Sequence, residues 1–126
     1  MRTLALTLMA GSAAADPAFV QRPDAFPVEH VYTGGWEHFV GGGVAVFDCD
    51  GDGLPDIFAA GGTEPALLLR NGGGFRFEDA RLPTLKGVTG AYPLDLDNDG
   101  TMDLFVLRVG TNIALRGLGD CRFEAI

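Results

Sequence analysis

Asp48-Cys49-Asp50-Gly51-Asp52-Gly53-Leu54-Pro55-Asp56 is the stretch on which the reading of this 126-residue chain turns. Carboxylates stand at positions 1, 3, 5 and 9 of the window, with Gly53 at position 6. Four carboxylates that close repel one another unless a cation sits among them. Oxygen ligands without His or Cys at the ligand positions select a hard ion, and Ca²⁺ fits best. Gly53 supplies the positive φ that lets the loop curl. The carbonyl of Leu54, at position 7, is the expected backbone ligand.

The spacing returns at Asp95-Leu96-Asp97-Asn98-Asp99-Gly100-Thr101-Met102-Asp103, 47 residues further on. The expected ligands of the second ion are Asp95, Asp97, Asp99, the Thr101 carbonyl and Asp103. Asp/Gly-rich turns are common between strands. That composition alone leaves the repeated spacing unexplained. An EF-hand is excluded, because it needs a Glu at position 12 and helices on both sides. Position 12 is Ala59 in the first loop and Val106 in the second. The flanks are short apolar runs that read as buried strands: Val44–Phe47 and Ile57–Ala60, then Ala91–Leu94 and Leu104–Leu107.

Further strands are expected at Ala66–Arg70 and Phe75–Asp79, joined by an Asn71-Gly72-Gly73-Gly74 turn. In the Phe75–Asp79 strand, Phe75 and Phe77 would share a face. The second unit copies this order: Asn112–Arg116, a Gly117-Leu118-Gly119-Asp120 turn, then a strand from Cys121 to Glu124. Leu69-Arg70 matches Leu115-Arg116, and Arg76-Phe77-Glu78 matches Arg122-Phe123-Glu124, at an offset of 46. A period near 47 with four short strands per unit is the pattern of a β-propeller blade. Gly41-Gly42-Gly43 opens the first unit, where the glycines allow either the close approach of another backbone or a tight bend.

Gly43-Val44-Ala45-Val46-Phe47-Asp48 through Asp56-Ile57-Phe58 resembles the FG-GAP/VCBS repeat. The Leu-Leu-Arg-Asn-Gly and Phe-x-Phe-Glu-Asp stretches that follow are similar to the cartilage-acidic-protein (ASPIC/UnbV-associated) branch. The resemblance runs from about Gly41 to Glu124. It implies an all-β fold of two four-stranded blades from a calcium-loaded propeller, with the aspartates above as ligands. Cys49 departs from it, standing where the family has an aromatic, and so does Pro55, just before the last ligand. The family closes rings of about seven blades, so two blades imply an incomplete ring. The sequence, stopping at Ile126 within an expected strand, is expected to be part of a longer protein.

The resulting division is a signal peptide at 1–15, an extended arm at 16–40, a first repeat at 41–86 and a truncated second repeat at 87–126. The signal peptide rests on Arg2, the apolar run Leu4–Ala10 and Ala13-Ala14-Ala15, with cleavage before Asp16. Secretion, or export to a periplasm, follows. Pro17, Pro23 and Pro27 punctuate the arm, where Val28–Tyr32 is a candidate short strand. His30, His38 and Trp36 read as surface or packing residues.

The net charge is −8, and eight of the 17 acidic residues lie in the two loops. An acidic chain disfavours nucleic acid and anionic membrane surfaces. An oxidising compartment permits a Cys49–Cys121 disulfide, but sequence supplies no distance to decide it. The function expected is a binding or adhesion module with structural calcium, directed at an extracellular protein or glycan. Catalysis is not expected, since catalytic sites seldom come as serial copies. The alternatives are part of a secreted metal-dependent hydrolase, or a scaffold segment of a larger surface protein.

Overall fold

The computed structural model describes residues 18–39 and 41–126. The signal peptide expected at 1–15 lies outside them. Among the described residues, eight strands form two sheets of four, each an antiparallel meander in sequence order. The first holds β1 (Val44–Phe47), β2 (Asp56–Ala59), β3 (Leu67–Asn71) and β4 (Phe77–Asp79). The second holds β5 (Val88–Leu94), β6 (Asp103–Arg108), β7 (Ile113–Gly117) and β8 (Phe123–Ala125). The fold is all-β, and two four-stranded sheets repeated in tandem are what two blades require. Among the described residues, helix is confined to two single-turn 3₁₀ segments, and none is long and apolar enough to cross a membrane.

Each aspartate loop joins the first two strands of its sheet. β1 and β2 pair from Phe47↔Asp56 to Val44↔Ala59, and β5 and β6 pair from Leu94↔Asp103 to Val88↔Arg108. Because alternate side chains point to opposite faces, Ala45, Phe58 and Leu68 share one face of the first sheet. Leu104, Val106 and Leu115 lie on the second sheet and are fully buried. Both sets belong to one apolar cluster, and Phe47 meets Phe123 across it edge to face at 6.3 Å.

The stacking is head to tail. Under the repeat offset Tyr92 is the counterpart of Ala45, Phe105 of Phe58 and Ala114 of Leu68. Ala45 is 6% exposed and Tyr92 60%. Conversely, Leu104 and Val106 are buried, while their counterparts Ile57 and Ala59 are half-buried. One face of the first sheet is therefore covered by the opposite face of the second. The two remaining faces carry apolar side chains that in the sister sheet are interior.

The arm lies along the outer face of the first sheet. Phe26 packs on Phe77 with ring centroids 5.3 Å apart, and His30 Nε2 is 2.9 Å from the Ala60 carbonyl. Thr33 makes a parallel bridge to Gly62. The strand expected at Val28–Tyr32 is absent, since the arm makes this bridge instead of a ladder. His38 is buried beside Tyr32, whereas Trp36 is exposed and stacked on Phe39.

The β3–β4 hairpin corrects a second expectation. The tip is Gly73-Gly74-Phe75, with φ of 81°, 59° and 58°, closed by Arg76 N–H donating to Gly73 O at 3.1 Å. Asn71 is already in the ladder opposite Phe77. Phe75 thus sits exposed in the turn and shares no strand face with Phe77. The second hairpin repeats this at Gly119-Asp120-Cys121, with φ of 73°, 49° and 55°, so its strand begins at Phe123 and not at Cys121.

The inner strands meet closely. Gly43 N–H donates to Thr89 O at 3.1 Å. A Cβ at Gly43 would fall 2.6 Å from Thr89 O and 2.8 Å from Gly90 Cα, both backbone atoms. Gly43→Ala is expected to destabilise the fold by about 1–3 kcal/mol through overpacking. Gly72→Ala, whose nearest neighbour would be Arg76 O at 3.6 Å, is expected to stay within about 0.5 kcal/mol. Urea unfolding of the two variants checks this contrast.

Candidate metal loops

Both loops are shaped by hydrogen bonds of one kind, in which the loop's own amides donate to its carboxylates. In the first, Asp48 follows directly on β1. Its Oδ1 accepts from Gly51 N–H at 2.7 Å and its Oδ2 from Gly53 N–H at 2.9 Å. Asp50 Oδ1 accepts from Asp52 N–H at 3.1 Å, and Asp52 Oδ1 from Leu54 N–H at 2.8 Å. Gly51 and Gly53 take φ of 79° and 82°, the left-handed region that glycine enters without steric cost. The expectation for Gly53 holds; position 4 needs the same conformation.

In the second loop, Asp95 accepts from Asp99 N–H at 3.1 Å and from Gly100 N–H at 2.9 Å. Asp99 Oδ1 accepts from Thr101 N–H at 2.7 Å. Position 4 is Asn98 at φ 62°, a residue type that tolerates this region.

The position-9 aspartates do different work. Asp56 and Asp103 are fully buried. Asp56 Oδ2 accepts from Cys49 N–H at 2.7 Å, and its Oδ1 from Asn71 N–H at 2.8 Å. Asp103 Oδ2 accepts from Leu96 N–H at 2.8 Å, and its Oδ1 from Gly117 N–H at 2.8 Å. Each carboxylate ties the second residue of its loop to the far end of the third strand. Asn71 Nδ2 adds a bond to Pro55 O at 3.0 Å.

Not every expected ligand converges. Asp48, Asp50 and Asp56 each offer an oxygen, all within 4.8 Å of one another. In the second loop the group so gathered is Asp95, Asp97 and Asp99. Asp52 and Asp103 stand outside these groups; Asp52 is turned to the Leu54 amide and Asp103 is anchored below its loop. Leu54 and Thr101 are held through their N–H groups. Cys49 and Cys121 also lie near Asp56, but their sulfurs are bonded to each other and are not ligands.

Two arginines complete the site. Arg70 pairs with Asp50, and Arg116 Nε lies 3.0 Å from Asp97 Oδ2. Both pairs join position 3 of the loop to the same point on the third strand. The matched Leu-Arg dipeptides carried this signal in the sequence, but they suggested no role.

The two shifted carboxyls of the first loop move in opposite directions. The Gly53 amide holds Asp48 below the ordinary value of 3.8. Burial pushes Asp56 above it, against the hydrogen bonds from Cys49 and Asn71. The amide donors favour the charged form of both groups, but loss of solvent outweighs the two on Asp56.

Residues 48–106, from the first loop through most of β6, match the family model of the FG-GAP-like repeat. No curated protein and no solved structure matches the chain. The match takes in both aspartate loops and the whole of β2, β3, β4 and β5.

Asp56→Ala and Asp103→Ala each leave two backbone amides without their acceptor. Each is expected to cost about 2–5 kcal/mol, read as a lowered urea midpoint. Asp52→Ala, at an exposed side chain with one local bond, is expected to cost far less. Acid supplies a separate check. A depressed carboxyl contributes stability that is present above its unfolded value of 3.8 and lost as the pH falls through its folded value. Asp48→Asn should therefore weaken the acid-induced loss of stability. Urea midpoints in chelator, from neutral pH to below that value, measure it, and an unchanged acid limb refutes the contribution.

Proposed function

We propose that the chain is a secreted calcium-binding repeat module of propeller type, in which the ion is structural. The observation that carries this reading is duplication of chemistry, not merely of fold. Two loops present three convergent carboxylates each, on corresponding hairpins between the first two strands of each sheet. The donor set is all oxygen, which suits a hard divalent ion, and a flexible multi-oxygen site suits Ca²⁺ better than Mg²⁺. A carboxylate oxygen already accepting one amide retains a lone pair for a metal. The hydrogen bonds described above are therefore compatible with coordination. Asp48, Asp50 and Asp56 would hold one ion, and Asp95, Asp97 and Asp99 the other. Asp52, Asp103 and the carbonyls of Leu54 and Thr101 complete the family pattern.

Bound calcium would neutralise the crowded carboxylates and stiffen the turn between the first two strands of each sheet. No turnover is assigned to these loops, since their carboxylates are engaged with the backbone that shapes them. The two uncovered sheet faces support an incomplete ring, completed by further sheets of the same kind. The arginine and hairpin pattern supports the cartilage-acidic-protein branch of the family. Export rests on the apolar, small-residue N-terminus, and the inter-sheet disulfide is consistent with it. An extracellular protein or glycan is the proposed partner.

Thermal unfolding in chelator and in rising calcium tests the central claim. Affinities of extracellular calcium modules lie at about 10⁻⁴–10⁻³ M. Ten-millimolar calcium is then expected to add about 1–3 kcal/mol per site, seen as a higher midpoint. Asp48→Ala and Asp95→Ala should each remove part of the response, and the double variant all of it. A midpoint indifferent to calcium would sink the reading.

A further inference from the structure

The two loops agree at every acidic position and at the glycine of position 6; among the positions where they differ is position 2, which is Cys49 in the first and Leu96 in the second. Cys49 is bonded to Cys121, 72 residues later, with Cα atoms 4.7 Å apart. Cys121 lies at the tip of the β7–β8 hairpin, so the bridge pins the first loop to the second sheet. Three more contacts surround it. Cys121 N–H donates to Cys49 O at 3.2 Å. Cys49 N–H donates to Asp56 Oδ2 at 2.7 Å, and Cys121 Sγ lies 3.6 Å from that same oxygen. Cys49, Asp56 and Cys121 are all buried. Leu96 makes the corresponding bond to Asp103, but its side chain is 43% exposed and tethered to nothing.

Resting on the calcium reading above, we propose that the Cys49–Cys121 bridge is a redox control on the first loop alone. The oxidised bridge preorganises that loop for its ion, and reduction loosens it while leaving the second loop untouched. In the reducing step, a dithiol delivers two electrons and two protons. The S–S bond breaks, both sulfurs become thiols, and the reductant closes to its own disulfide. The Cys49 peptide then holds to the second sheet by one backbone hydrogen bond. The ion must now restrict the freedom that the bridge had removed, and affinity falls. Linkage makes the effect reciprocal: calcium on the first loop makes the bridge harder to reduce.

Two single-loop proteins separate the sites. Asp95→Asn leaves the first loop as the reporter, and Asp48→Asn leaves the second. Calcium titration by calorimetry, before and after dithiothreitol, reads each. The first-loop reporter is expected to weaken about tenfold on reduction, a usual size for coupled sites. The second-loop reporter is expected not to change. Cys49→Ser/Cys121→Ser in the Asp95→Asn background should reproduce the reduced value. Equal weakening of both reporters, or of neither, overturns the proposal.

Amide exchange in calcium-free buffer supplies a readout that needs no ion. Reduction should speed exchange at Gly51, Gly53 and Leu54 and spare Asp99, Gly100 and Thr101. If neither loop of the oxidised protein binds calcium, the ion reading fails by itself. Unchanged exchange at the first loop then overturns the coupling as well.

Discussion

A buried carboxylate bonded to two backbone amides underlies both halves of this protein. Asp56 and Asp103 sit at the base of their loops with no exposure. Each accepts one amide from the start of its loop and one from the end of the third strand. An unpaired charge in that position would be costly, and so would the bare amides. Together they satisfy one another and hold three strands in register. The upper part of each loop is shaped by position 1, whose carboxylate gathers the amides of the turn. The fold and the loop are therefore one construction, since the residue that anchors the loop also ends a strand ladder.

The two sheets are near copies by sequence, but their environments differ. The face that is interior in the first sheet is open in the second, because stacking uses opposite faces of successive units. This is how repeat architectures distribute burial: each unit completes its neighbour's core. The arm covers part of the first sheet's outer face through Phe26 and anchors at Gly62. Gly43 permits the closest approach of the inner strands. At the opposite end of the stack, the Cys49–Cys121 bridge joins the first loop to the last hairpin. The pair of sheets is thus secured at both ends of its interface.

In the loops, charge is balanced from the third strand. Arg70 and Arg116 face the position-3 aspartates, and a guanidinium and a divalent cation answer the same need. Arg116 and Asp97 are both partly exposed, so solvent screens that pair and its contribution to stability is small, whereas the Asp50 side chain is covered and only its partner Arg70 is half-exposed. The proposed calcium role depends on the convergent carboxylates, of which Asp50 and Asp97 are also the arginines' partners. Of the differences between the loops, the one that reaches the neighbouring sheet is at position 2, where a cysteine ties the first loop to it.

Most of the architecture was legible in the chain. Short apolar runs beside a repeated nine-residue aspartate pattern are local signals, and they placed the hairpins, the order of strands and the loops. Gly53 declared its conformation, because a glycine has no Cβ to penalise positive φ. The misreadings were also local. Asn71-Gly72 mimics a hairpin tip, but the ladder extends past it to Gly73-Gly74-Phe75. What sequence could not supply was distance between parts remote along the chain. The bond between Cys49 and Cys121, the division of the aspartates into convergent oxygens and buried struts, and the choice of which sheet face is covered were decided by tertiary structure. The reason is physical: spacing determines which side chains share a loop or a face, whereas burial and pairing depend on what another sheet brings against them.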